Sequence, residues 1–131
     1  MVPFAGWEMP VMYSSIIEEH QYVRDSCGVF DISHMGQVFV EGEGAAAWLN
    51  KMLTNDVADL TVGNAHYTFM LNEKGGVIDD LILYRLGETD FLLVVNASCV
   101  EEDVAWLGEH LADGVTLRDE SSEWAGLAIQ G

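Results

Sequence analysis

Residues 66–95 read HYTFMLNEKGGVIDDLILYRLGETDFLLVV: three runs rich in aromatic and branched apolar side chains, separated by two polar turns. Asn72, Gly75 and Gly76 supply the backbone freedom of a hairpin turn, so 66–72 and 77–86 read as antiparallel partners. Gly87 to Asp90 turns the chain again into a third strand over 91–95. The middle strand holds an anomaly. Asp79 and Asp80 are neighbours, and successive strand residues point to opposite faces. Val77, Leu81 and Leu83 flank Asp79, while Ile78, Ile82 and Tyr84 flank Asp80, so each acid lies among apolar side chains. A carboxylate there needs a hydrogen-bonding partner, a polar ligand, or a proton held at raised pKa. Two readings follow: one acid works as a general acid or base, or Asp79 caps the glycine turn while Asp80 reaches water past a sheet edge.

Outward from this meander, 14–26 (SSIIEEHQYVRDS) sets Ile16, Ile17, Tyr22 and Val23 near the helical period behind capping serines. Short strands are predicted at 29–32 and 37–40, and a helix over 44–53 around Trp48, Leu49 and Leu53. The chain then runs to residue 65 as a loop. Residues 97–112 place Val100, Val104, Leu107 and Leu111 on one stripe with acids opposite, an amphipathic helix. Strands at 115–119 and 124–130 follow. From 37 to about 119 the order is strand, helix, three strands, helix, strand, which predicts an α+β, ferredoxin-like antiparallel sheet with helices on one face.

The chain has 131 residues, room for one core or for one complete small domain plus part of another, and half of them are hydrophobic. With 22 Asp and Glu against 5 Lys and Arg, the formal charge is −17, which repels nucleic-acid phosphates and anionic lipid, so neither nucleic acid nor membrane is an expected partner. The acidity reads either as a solvated surface or as adaptation to high salt. No leader and no apolar run long enough to span a bilayer is evident, and two distant cysteines, Cys27 and Cys99, suit a reducing cytoplasm.

Beyond the acid pair, site signals are sparse. His34, near Asp31, reads as a loop histidine or a proton shuttle, but two ligands are too few for zinc, and no metal is expected. No phosphate-binding or nucleophile motif occurs. Tyr13, Tyr67 and the four tryptophans read as core or interface residues or as stacking surfaces for a planar ligand; Met35, Met52 and Met70 read as core filler or pocket lining.

Five stretches in order, VPFAGWEMPVMYSS (2–15), VFDISHMGQ (29–37), LTNDV (53–57), YTFMLNEKGGVIDDLILYRL (67–86) and LLVVNAS (92–98), resemble the aminomethyltransferase, or T-protein, of the glycine cleavage system. The resemblance implies a protein well over twice as long, with three domains around a tetrahydrofolate site. By it, 37–121 is most of a ferredoxin-like second domain. Residues 1–36 and 122–131 are then pieces of a discontinuous, β-rich folate-binding first domain. The implied reaction takes the aminomethyl group from the lipoylated H-protein, releases ammonia and gives methylenetetrahydrofolate. The second aspartate of the GG-x-x-DD-L motif, here Asp80, is the implied catalytic acid. Met35 and Tyr67 are implied as apolar walls of the folate pocket and Asn96 as a polar contact. Related folate-dependent demethylases, the folate portion of sarcosine or dimethylglycine oxidoreductases, and a non-catalytic folate binder share these features. Expected location is the cytoplasm, or the mitochondrial matrix in a eukaryote. Alone, the chain is expected to bind folate weakly and not to turn over, with unpaired strand edges favouring self-association.

Overall fold

A computed structural model describes residues 1–131. In chain order its elements are β1 (Val2–Phe4), β2 (Trp7–Met9), α1 (Ile16–Asp25), β3 (Gly28–Asp31), β4 (Gly36–Glu41), α2 (Ala45–Met52), β5 (Ala65–Leu71), β6 (Val77–Arg85), β7 (Asp90–Val95), α3 (Val100–Glu109), β8 (Thr116–Asp119) and β9 (Leu127–Gln130). They form two compact units, Met1–His34 with Trp124–Gly131, and Met35–Glu123.

The first unit holds two small sheets and one helix. β1 and β2 pair antiparallel across Ala5 and Gly6, both at positive φ. This hairpin escapes sequence reading because each strand has three residues and one contains Pro3. α1 starts at Ser15, whose hydroxyl accepts from the Glu18 N–H. The Glu19 carboxylate reaches back to the Tyr13 and Ser14 N–H groups at 2.7 and 2.6 Å, so two otherwise orphaned donors are satisfied. β3 pairs antiparallel with β9. No residue of this unit is buried, and Trp7, Tyr13, Ile17, Tyr22, Val29 and Ile129 are exposed.

The second unit is a five-stranded sheet in the order β5-β6-β7-β4-β8, antiparallel at every pairing. Four of these strands, β8-β4-β7-β6, with α2 and α3 as crossovers, make the ferredoxin-like arrangement; β5 extends it at the β6 edge. One sheet face contributes Val38, Val40, Met70, Leu81, Leu83, Phe91, Leu93 and Val95 to the core, and Ala45, Trp48, Leu49 and Leu107 of the helices cover it. Burying Trp48 and Leu49 stabilises α2 by about 2–3 kcal/mol each. The Trp48 indole N–H donates to the His110 carbonyl at 2.7 Å, satisfying the polar atom of a buried ring beside the end of α3.

The meander of residues 66–95 forms as its turns dictate. Asn72, not Asp79, caps the glycine turn, its side-chain oxygen accepting from the Lys74 and Gly76 N–H groups at 3.0 and 2.9 Å, with Gly75 at φ +79°. α3 is shorter than the predicted 97–112 helix. Asn96 to Cys99 form a turn closed by Cys99 N–H to the Asn96 carbonyl, and Leu111 lies past the helix end and is exposed. After β4 the chain turns at Gly42, at φ +134°, where a Cβ would collide with the Gly114 carbonyl. Gly42→Ala is therefore expected to destabilise the chain by about 2–3 kcal/mol, read as a lowered urea midpoint at unchanged m-value. An unchanged midpoint would refute that constraint.

Candidate active site

Alternation along β6 gives the two aspartates different surroundings. Asp79, Leu81 and Leu83 point to α2 and α3 and are buried, whereas Asp80, Ile82 and Tyr84 point to the opposite face and are partly exposed. The apolar neighbours on both faces of the strand therefore do not bury both acids: Asp79 is 5% exposed, and Asp80 is only half-buried. β6 lies between β5 and β7, so Asp80 does not reach water past a sheet edge either.

On the open face, the ladder sets Tyr67 of β5 opposite Ile82, Ile82 opposite Val94 of β7, and Val94 opposite Gln37 of β4. Tyr84, Leu92 and Phe39 make the next row, and Phe69 stands opposite Asp80. The Tyr67 hydroxyl donates to Asp80 Oδ2 at 2.7 Å, and Tyr67 packs edge-on to Phe69 with ring centroids 5.3 Å apart. This hydrogen bond to Asp80 holds the phenol above its ordinary pKa, so Tyr67 remains a donor.

Asn96, just past β7, ties the acids together. Its side-chain N–H₂ group donates to Asp79 Oδ1 at 2.8 Å, to the Asp80 carbonyl at 2.9 Å and to Asp80 Oδ1 at 3.4 Å. Its backbone N–H donates to Asp79 Oδ2 at 2.9 Å. Burial works to raise the Asp79 carboxyl, but the Asn96 bonds outweigh it and hold the group below its usual range. Asp79 is thus an anchor, and what it anchors is the residue beside Asp80.

The structure brings Tyr67, Asp80 and Asn96 together. Met35 stands one residue before β4, and Asn96 one residue after β7, both flanking the last pair of that ladder, Gly36 with Val95. Met35 offers its carbonyl to the Gln37 side chain at 3.2 Å. Gln37 Oε1 is buried with no donor, an unpaired acceptor on a residue that the register assigns to the open face. His34 belongs to the first unit, edge-on to Phe4, beside a groove of about 730 Å³ that also contains Asp31 and none of Met35, Tyr67, Asp80 or Asn96. No three His, Cys, Asp or Glu side chains are grouped as a metal would require.

Sequence reasoning missed Asp103. It assigned the acids of α3 to the solvent face, yet Asp103 is wholly buried with neither carboxyl oxygen accepting from a donor. The signal was present, because Asp103 follows Val100 by three residues and precedes Leu107 by four, inside the apolar stripe.

The domain is thus of the α+β class, with one tethered carboxylate and an amide beside it on an apolar sheet face. The chain belongs to the family described as GCVT N-terminal domain, which matches residues 1–131. Aminomethyltransferases of Geobacillus kaustophilus and Bacillus velezensis are 55% and 53% identical to it over 130 residues, 99% of this chain and 36% of each relative. The crystal structure of the glycine cleavage system aminomethyltransferase T from Bartonella henselae superposes with a TM-score of 0.87 at 39% identity, covering 99% of this chain and 36% of that one. The chain therefore spans little more than a third of the relatives it matches.

Proposed function

We propose that this chain supplies the carboxylate-bearing part of an aminomethyltransferase of the glycine cleavage system, in which tetrahydrofolate receives the one-carbon unit and the lipoylated H-protein delivers it. The observation that carries the reading is the Asp80 carboxylate, fixed by Tyr67 and Asn96 on the partly exposed apolar sheet face opposite α2 and α3. The residues suit a reduced pterin. Its ring N–H groups need acceptors, which the Asp80 carboxylate offers, and its faces need apolar walls such as Tyr67 and Met35. Tetrahydrofolate, when bound, brings the nucleophilic nitrogens that accept the carbon.

The roles of the chain's own groups follow from charge and position. Asp80 accepts a proton from a ligand N–H and stabilises positive charge near the transferred carbon; a fixed carboxylate does this at little reorganisation cost. Tyr67 and Asn96 keep it aimed, each by one hydrogen bond to a different carboxylate oxygen. Asn96 also offers a polar edge to the ligand, and Met35 lies at the same end of the sheet. No metal enters this scheme. In this reading 37–121 is the ferredoxin-like domain, and 1–36 with 122–131 contribute to a discontinuous first domain completed by other parts of a longer protein, acting in the cytoplasm.

Residues 1–131 in place of the matching N-terminal part of the Geobacillus kaustophilus enzyme should give a chimera that makes methylenetetrahydrofolate only with both aminomethyl-lipoyl H-protein and tetrahydrofolate. A folded chimera that instead takes its carbon from an N-methyl amine, or has no activity, would sink the proposal.

A further inference from the structure

We propose that Asp103 is a positioning residue: it is held as a neutral carboxylic acid, donates its proton to the Asp79 carboxylate, and through Asn96 fixes the carboxylate of Asp80. The inference rests on the function proposed for Asp80. Its starting point is an unmet need. Asp103 is fully buried, and no N–H or O–H reaches either of its oxygens. The group within hydrogen-bonding reach is the Asp79 carboxyl, itself 5% exposed. Two carboxylates in that position repel, and a buried carboxylate with no donor is costly. One proton between them removes both penalties by turning the contact into an O–H···O⁻ bond.

The proton's owner follows from the surroundings. Both Asp79 oxygens accept from Asn96, at 2.9 and 2.8 Å, and these bonds favour the ionised form. Asp103 has no such donor; its burial, then Asp79, then the nearby Glu102, push its carboxyl up to about 8. The other groups around it supply no cation. Cys99, at the start of α3, has a thiol raised chiefly by its own burial. β8 also packs against α3, but the Arg118 guanidinium binds Glu41 and Glu120, and Asp119 accepts from Ser121.

A chain of hydrogen bonds then runs through the sheet. Asp103 on the helix side holds Asp79, Asp79 orients the Asn96 amide, and the amide meets the Asp80 carbonyl and carboxylate on the other side. With Asp103 ionised, Asp79 faces a second negative charge, and the bond that fixes its rotamer is lost. Asn96 is then free to turn away from Asp80. Asp103 touches no reacting atom and acts only through this chain.

The test has two parts. In the 131-residue chain itself, infrared difference spectra near pH 6 should show a protonated carboxyl C=O band that titrates near 8 and vanishes in Asp103→Asn. Absence of that band would overturn the proposal whatever the enzyme does. In the chimera, Asp103→Asn, whose amide N–H₂ can replace the donated proton, should keep kcat within about threefold, and Asp103→Leu should lower it about tenfold or more with little change in KM. Wild-type kcat should also fall on the alkaline side near pH 8, and that limb should be absent in Asp103→Asn. Equal losses in both variants, or an alkaline limb that survives in Asp103→Asn, would reduce Asp103 to a packing residue. An inactive wild-type chimera beside an intact carboxyl band would count against the aminomethyltransferase reading alone.

Discussion

Asp80→Asn in the chimera is expected to lower kcat by about 10²–10⁴-fold, the range for loss of a positioned acid–base group, while KM for tetrahydrofolate shifts by less than about threefold. The substitution is nearly isosteric. An amide oxygen still accepts from the Tyr67 hydroxyl, and the Asn96 contact to the residue 80 carbonyl does not involve the side chain. What disappears is the negative charge. If that charge acts mainly as charge develops on the transferred carbon, rate falls and ground-state affinity does not. Stability should change by less than about 1 kcal/mol, because Asp80 is only half-buried. Steady-state kinetics over tetrahydrofolate concentration separates the terms, and equal loss in kcat and affinity would favour a binder over a catalyst.

The second large effect concerns stability and pH. Asp103, raised to about 8 by burial, by Asp79 and by Glu102, keeps its proton in the folded chain when an unfolded aspartate has lost it. The folded state then binds more protons between about pH 4 and pH 8, so this group's contribution is fully present below about pH 4 and is lost as pH rises through 8. The loss is on the order of 5 kcal/mol, about 1.4 kcal/mol for each of roughly four pKa units. Asp79, held low by Asn96 against its burial, works the other way: its contribution is present above the ordinary carboxylate range and fades as acid titrates it. Asp103→Asn should therefore match the parent near pH 4 and exceed its stability progressively toward pH 8. Urea midpoints measured across that span check it, and parallel curves for parent and variant would contradict it.

Much of the fold could be read before any coordinates. β4 to β8 and both crossover helices were legible because turns at Asn72 to Gly76 and at Gly87 to Asp90 punctuate strongly apolar runs. The β1–β2 hairpin was not, since three-residue strands carry no period. α3 was overextended at both ends, because Asn96 to Ser98 favour helix and turn alike, and the Leu111 match to the stripe is accidental once the helix stops at Glu109. Tyr67, Asp80 and Asn96 were named through resemblance, and spacing alone left the two aspartates equivalent. Distinguishing them required the side on which α2 and α3 lie, a tertiary fact. Asp103 was hidden for a related reason: an acid among acids on a helix reads as solvated until its neighbours are known.

The alternation of β6 carries a further meaning for how the hairpin finds its pairing. A strand with one apolar and one polar face has its register chosen by burial, since a one-residue slip throws the wrong set into the core. β6 lacks that safeguard, because Ile82 and Tyr84 would fill a core nearly as well as Leu81 and Leu83. A slipped hairpin would be penalised elsewhere. It would push Asp80 against the helices, away from Tyr67, and strand Asp79 from the two Asn96 donors. In a hydrophobic strand that fits either way round, the adjacent carboxylates act as a key that turns in only one orientation, guarding the chain against a misfolded sheet before any substrate is met.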